Sequence, residues 1–307
     1  MKKVPEQTDA IVIERLSKRY PGSEKMALNN VSLAVRSGEV YGFLGPNGAG
    51  KSTTIRILLN FIQPTLGGAQ ILGKDAVHDS VAIKQSVGYL AGDFAVYPKM
   101  SASQYLSYLG SLAGKYDGQY VKELAKRLQA DLNMPLGEMS RGNRQKIGVI
   151  QAFMQHPEVL ILDEPTTGLD PLMQEVFYDL LTQEKARGTA VFMSSHILGE
   201  VQKTCDRVGI IKNGRLVSEQ NIADLSAEAA QTFDITFKGH VPLAELKKVP
   251  GLTIAEHHKQ NVTIHMQGAL GPLFMVLAHA DVQKIGARAL DLEELFLGLY
   301  QDTEAKK

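Results

Sequence analysis

The sequence predicts an α/β core, built on a mixed but largely parallel sheet with helices over it, followed by a small α+β domain. Three observations predict it. Over roughly the first 220 residues, short β-branched runs alternate with helical patterns, as strands joined by crossover helices do. Between about 98 and 155, apolar residues recur at intervals of three and four, which places a helical insertion inside that alternation. After "SEQNIADLSAEAAQ" (218–231) the texture changes to short strands with few long helical stretches. The expected boundaries are 8–225 for the core and 226–307 for the second domain.

The core strands are expected at "IVIERL" (11–16), "VSLAV" (31–35), "VYGFL" (40–44), "VLILD" (159–163), "AVFMSS" (190–195) and "VGIIKNGRLV" (208–217). The last contains Asn213-Gly214, a hairpin turn signal. The insertion reads "SASQYLSYLGSLAGKY", "GQYVKELAKRLQADL" and "GNRQKIGVIQAFMQH". The second domain has strands at 233–237, 252–257, 262–266 and near 282–288, a helix near 270–280, and a final helix "DLEELFLGLY" (291–300). Its apolar face reads as packing or as a pairing surface for a second subunit. The closing "QDTEAKK" reads as a frayed tail.

A chain of 307 residues has room for two domains. Lys plus Arg equals Asp plus Glu at 33 each, so no basic footprint for bulk nucleic-acid binding is present. Cys205 is the sole cysteine, which excludes an internal disulfide framework and points to the cytosol. The N-terminal stretch is broken by Pro5, Glu6, Gln7 and Asp9 and lacks the apolar core of a secretory signal. No run of about 18 apolar residues suggests a membrane span.

Residues 45–52, "GPNGAGKS", follow an apolar strand and precede the helical "TTIRILLNFI". Gly45, Gly48 and Gly50 let backbone N–H groups turn inward around an anion, and the helix N-terminus adds partial positive charge. Lys51 is placed to reach the β and γ phosphates, Ser52 to ligate Mg²⁺, and Thr53 to bond a phosphate oxygen. A bare glycine-rich turn beside a lysine is the plain alternative. Downstream, "VLILDE" (159–164) is an apolar strand ending in two acids. Asp163 suits the Mg²⁺ shell and Glu164 suits orienting or deprotonating a water.

With "GPNGAGKST", "SRGNRQK", "LILDEPTTGLDP" and "SSH" in this order, residues 8 to about 225 resemble the nucleotide-binding subunit of an ATP-binding-cassette (ABC) transporter, a P-loop ATPase. The resemblance implies that Gly45, Pro46, Asn47, Gly48, Ala49, Gly50, Lys51, Ser52 and Thr53 bind ATP, with Mg²⁺ as cofactor. Tyr20 matches the aromatic that stacks on adenine, or is an ordinary half-buried strand-end tyrosine. His196 matches the switch histidine at the γ-phosphate, or is structural. Asp170 matches a loop that communicates across a dimer, or caps a helix before Pro171. "MSRGNRQK" (139–146) matches the family signature, in which Ser140 and Gly142 would complete the ATP site of another subunit. Arg141 and Asn143 depart from the usual glycine and glutamine. The catalytic set implied is Glu164, His196 and Lys51.

A sharper departure lies in "VGYLAGDFAVYP" (87–98), where Gly92 stands at the family's glutamine position. Asp93 follows, either as a replacement Mg²⁺ ligand or as a turn cap. The function implied is an ATPase that closes as a head-to-tail dimer around two MgATP. It would drive a separate integral-membrane permease, for export, with the chain peripheral on the inner face of the membrane. The second subunit would be another copy or a homologous ATPase. The branch resembled is the bacterial (ABC-2 type) exporters of drugs, antibiotics, peptides or lipids. A solute importer would share the motifs. A soluble superfamily ATPase of DNA repair or translation would need a long coiled coil or two cassettes, and neither pattern is present. The C-terminal domain could sense a ligand, steady the dimer or touch the permease.

Overall fold

The structure, a computed structural model, describes residues 8–92, 97–114, 116–228, 231–266 and 268–288. The chain divides into two compact units, Met1–Ile222 and Ala223–Lys307. Asp93 and the segments "DLEELFLGLY" and "QDTEAKK" lie outside the described residues.

The first unit opens with strands β1 (Asp9–Arg19), β2 (Met26–Arg36) and β3 (Val40–Leu44), then helix α1 (Lys51–Leu58). Next come β4 (Leu66–Ile71), β5 (Lys74–Asp75), α2 (Ser80–Lys84) and β6 (Val87–Leu90). The helical insertion holds α3 (Ala102–Leu112), α4 (Gly118–Arg127), a 3₁₀ turn (Leu136–Glu138) and α5 (Arg141–Phe153). The unit continues with β7 (Val159–Asp163), α6 (Pro171–Ala186), β8 (Ala190–Ser195), α7 (Leu198–Thr204), β9 (Arg207–Lys212) and β10 (Arg215–Asn221), and α8 (Ile222–Glu228) follows.

Two sheets result. The larger has the order β10-β9-β3-β8-β7-β6 and is parallel except for β10. All residues of β3, β7 and β8 are buried, as expected for the middle of a parallel sheet covered on both faces. Asn213 and Gly214 both have positive φ, 50° and 76°, the pair of values that a two-residue hairpin turn between β9 and β10 requires. The smaller sheet, β2-β1-β4-β5, is antiparallel. The sequence pattern does not announce β4, because "LGGAQI" carries two glycines of poor strand propensity. Nor does it announce β6, which has four residues.

One core joins both sheets. Ile11, Ile13 and Val35 of the small sheet meet Phe43 and Phe192 of the large one and Ile55 and Leu58 of α1. Phe192 stacks on Tyr41 at 6.0 Å and leans on Phe43 at 5.3 Å. Burying each such ring contributes on the order of 2–3 kcal/mol. The core fixes α1 and the C-terminal ends of β3, β7 and β8, where an α/β sheet gathers ligands.

The helix starts of the insertion are capped by side chains. Ser101 and Gln104 form a reciprocal capping box on α3, and Asp117 accepts two N–H groups of α4.

The second unit is a four-stranded antiparallel sheet, order β12-β13-β11-β14, from β11 (Gln231–Phe237), β12 (Leu252–His258), β13 (Asn261–Met266) and β14 (Val282–Arg288). Helices α9 (Leu243–Leu246) and α10 (Gly271–Ala278) supply Leu246, Leu273 and Leu277 to its core. Alternation puts Phe233, Ile235 and Phe237 in that core, while Asp234 and Thr263 hydrogen-bond across neighbouring strands at 2.8 Å.

Candidate functional site

β3 delivers the chain to Gly45, whose N–H donates to the Ser195 carbonyl at 3.2 Å. A Cβ at Gly45 would lie 2.4 Å from the Ile211 carbonyl oxygen, so only glycine fits between β3 and β9. The loop then turns through Gly48 and Gly50, both at positive φ. Gly50 is the N-cap of α1 and has no side chain to cap it. The first N–H groups of α1 therefore have no side-chain cap and can receive an anion.

Lys51 is 5% exposed. Its ammonium donates to the Gly45 carbonyl at 2.7 Å and the Pro46 carbonyl at 3.3 Å, and lies 3.5 Å from Glu164 Oε1. The loop and Glu164 enclose a cavity of about 150 Å³, lined also by Asn47, Gly48, Ser52 and Thr53. Tyr20 is half-buried beside it, its hydroxyl 3.4 Å from Thr53 Oγ1.

The acid pair comes from β7. The parallel register sets Asp163 beside Ser194 of β8, and the Ser194 hydroxyl donates to Asp163 Oδ1 at 2.5 Å. The next residue, Glu164, has φ of 49°. A left-handed backbone at a non-glycine residue costs on the order of 1 kcal/mol and needs support from its surroundings. Support comes again from Ser194, whose hydroxyl and carbonyl both accept the Glu164 N–H, at 3.1 and 3.2 Å. The turn brings Glu164 Oε1 to 3.3 Å from His196 Nδ1 while it keeps the contact to Lys51. One carboxylate thus sits between an ammonium and an imidazole at the mouth of an anion cradle. That arrangement can bind phosphate, hold a water and accept its proton. Nearby Tyr89 of β6 stays a neutral phenol, pushed up to about 12 by burial and then by the Asp163 charge.

The signature segment is elsewhere. Ser140 is exposed and caps α5, its hydroxyl accepting the Asn143 N–H at 3.2 Å. Neither Ser140 nor Gly142 lines the phosphate cavity. The start of α5 is tied instead to the segment after Glu164. Buried Gln145 donates to the Pro165 carbonyl at 2.8 Å, and a Cβ at Gly142 would lie 2.6 Å from the Gly168 carbonyl. Asp170 caps α6 through the Met173 N–H at 3.0 Å, with Pro171 following. Gly92 faces Asp163, since a Cβ there would come within 3.6 Å of the Asp163 carboxyl carbon.

The structure therefore gathers Lys51, Ser52, Thr53, Tyr20, Asp163, Glu164 and His196 around one end of the large sheet, and sets Ser140, Gly142 and Asp170 apart from the cavity. Sequence reasoning missed Ser194, Ser195, Gln145 and Glu200. The dipeptide before His196 was visible as "SS", but its partners depend on strand register.

The ABC transporter family matches residues 28–167. The bacitracin transport ATP-binding protein BcrA of Bacillus licheniformis is 37% identical over 207 residues, 66% of this chain and 67% of that protein. The doxorubicin resistance ATP-binding protein DrrA of Mycobacterium tuberculosis is 31% identical over 311 residues, 95% of this chain and 94% of that protein. Among solved structures, an ATP-binding subunit of an ABC transporter aligns with a TM-score of 0.65 at 27% identity, over 70% of this chain and 91% of that one.

Proposed function

The chain belongs to the ABC transporter ATP-binding proteins and is an ATPase of that family, and from that premise we propose which residues carry hydrolysis and what completes the site. Residues 8–225 are assigned the nucleotide chemistry and residues 226–307 an accessory role. ATP lies along Gly45, Pro46, Asn47, Gly48, Ala49, Gly50, Lys51, Ser52 and Thr53, with adenine stacked on Tyr20. The phosphates draw the Lys51 ammonium away from the Gly45 and Pro46 carbonyls that hold it in the free chain.

Glu164 orients the attacking water and takes its proton, and His196 donates to the γ-phosphate. The observation that carries this reading is the Glu164 carboxylate poised between Lys51 and His196 on a left-handed backbone. The donors present fit Mg²⁺. Ser52 offers a hydroxyl, and Ser194 engages Asp163 Oδ1, so Oδ2 is the oxygen offered to the ion. No group of three His, Cys, Asp or Glu among the described residues could hold a metal alone. Mg²⁺ usually keeps several waters and binds through one or two carboxylates plus substrate phosphates, and Asp163 with Ser52 would supply the protein's share. When bound, Mg²⁺ neutralises charge on the phosphate oxygens.

A second subunit, this chain again or a homologous ATPase, supplies Ser140 and Gly142 to the γ-phosphate. What supports this is the exposed position of Ser140 at the start of α5, with the segment's likeness to the family signature. Asp170 holds the start of α6 at that junction. Closure around two ATP is then a ligand-driven population shift. The power is delivered to a separate permease, a reading supported by the likeness to proteins named as ATP-binding components of transport and resistance systems. Export is the direction favoured by the likeness to proteins named for bacitracin transport and doxorubicin resistance. The chain works at the inner face of the cell membrane through that permease.

The test is Glu164→Gln, with ATP binding, phosphate release and oligomeric state measured together. Hydrolysis should fall by roughly 10²–10⁴ while ATP binding persists and a closed dimer accumulates. Hydrolysis at the wild-type rate would falsify the assignment.

A further inference from the structure

The reading above leaves one carboxylate at the site without a role. Glu200, on α7, is 5% exposed. Its Oε2 accepts the Ser195 hydroxyl at 2.5 Å. Its Oε1 has no hydrogen-bond partner of full geometry. A carboxyl this buried disfavours folding, and burial pushes its pKa up from the ordinary carboxylate value against the lowering pull of the Ser195 and Thr166 hydroxyls. A buried group that costs stability where it stands is a place to look for a functional role.

That work is visible in what Ser195 does. Its carbonyl takes the Gly45 N–H at 3.2 Å and its hydroxyl oxygen takes the Ile197 N–H at 3.0 Å. His196 lies between those two anchored residues. The Ser195 hydroxyl has one proton and two acceptors in reach, Glu200 Oε2 at 2.5 Å and the Ile197 carbonyl at 3.3 Å. The charged, closer acceptor wins. Without it the proton turns to the Ile197 carbonyl, and the oxygen that receives the Ile197 N–H reorients.

We propose that Glu200 is a positioning residue for His196. By holding the Ser195 proton it fixes the turn that carries the imidazole to Glu164 Oε1 and keeps that turn on Gly45 of the phosphate loop. This rests on the catalytic roles given above to Glu164 and His196. Nothing in it requires Glu200 to touch the nucleotide.

The experiment measures steady-state ATP hydrolysis by the full chain for Ser195→Ala, Glu200→Ala, the double variant and Glu200→Gln, with Glu164→Gln as control and thermal unfolding alongside. Each alanine variant should lower kcat about tenfold, with half-saturating ATP within about twofold of wild type, as loss of alignment does. The double variant should be no slower than the slower single one, because both remove the same bond. Glu200→Gln still offers an oxygen to Ser195 and should stay within about threefold. Independent losses that multiply, or alanine variants at the wild-type rate, would overturn the proposal, as would Glu200→Gln falling as far as Glu200→Ala. If Glu200→Ala does not fold, Ser195→Ala and Glu200→Gln decide by the same criteria. A Glu164→Gln chain that hydrolyses normally would instead overturn the catalytic reading itself. An inactive Glu164→Gln beside fully active Ser195→Ala and Glu200→Ala would reject the positioning role alone.

Discussion

Gly142→Ala separates two effects of opposite sign. In a helix interior alanine is favoured over glycine by about 0.8–1.0 kcal/mol, less near the first turn, so on propensity alone the change stabilises α5. The structure adds a collision. The new Cβ would lie 2.6 Å from the Gly168 carbonyl oxygen, about 0.8 Å short of the 3.4 Å at which ordinary contact begins. The partner is backbone, so it cannot rotate away. The start of α5 is also tethered by Gln145 to Pro165 on the same segment, which resists the shift that would relieve the overlap. Overpacking of this kind costs about 1–3 kcal/mol, so the net is a destabilisation of up to roughly 2 kcal/mol. For a unit of this size that lowers the unfolding midpoint by up to about 8 °C. Thermal unfolding with and without ATP, and ATP hydrolysis at saturation, form the assay. The midpoint should fall, the stabilisation by ATP should persist because the phosphate loop is untouched, and turnover should drop as Ser140 moves with its helix. A midpoint that rises, with turnover kept, would show that the Gly142–Gly168 contact does not constrain the signature segment.

Tyr20→Ala should weaken ATP binding by about 1–3 kcal/mol, the worth of one base stacked on an aromatic ring, while kcat at saturating ATP changes little. Tyr20→Phe removes only the 3.4 Å contact to Thr53 and should bind ATP nearly as wild type does. Equal loss in both variants would shift the role from the ring to the hydroxyl. Glu200→Gln makes a pH prediction. Burial raises the pKa of the Glu200 carboxyl, against the Ser195 and Thr166 hydroxyls and the His196 charge, which lower it. A carboxyl raised on folding disfavours the native state wherever the unfolded chain is ionised, and that penalty fades as pH falls through the folded pKa. Relative to wild type, the glutamine variant should therefore gain most stability near pH 7 and lose the advantage toward pH 4. An advantage that stays flat over that range in calorimetry would contradict the sign.

Most of the residues gathered at the candidate phosphate site were legible in the sequence because phosphate chemistry would constrain them at fixed spacing. Gly45 must lack a side chain where β3 passes the Ile211 carbonyl, and Lys51 must follow the loop that needs its charge. Asp170 before Pro171 was legible as a cap for a similar reason, since Pro at the first helical position and an acceptor before it act over three residues. What was not legible lies across the fold. Ser194 is 31 residues from Asp163, and only the parallel register of β7 and β8 makes its hydroxyl the shared partner of Asp163 and the Glu164 N–H. The left-handed turn at Glu164 left no trace in composition, because the residue there is neither Gly, Asn nor Asp. Glu200 looks from its neighbours like an exposed acid in the first turn of a short helix, and only the packing of α7 against the large sheet buries it. β4 was hidden by its glycines for a related reason. Gly67 at φ of 75° crosses β1 so closely that a Cβ would meet the Glu14 and Arg15 carbonyls at 2.4 and 2.3 Å, a constraint that belongs to the pairing and not to the strand. Residues that meet a ligand are selected by that ligand, whose chemistry is known in advance. Residues that hold them in place are selected by register and packing, which one-dimensional spacing does not encode. That is why His196 could be singled out from "SSH" as a candidate while Glu200, the carboxyl proposed to orient it, could not.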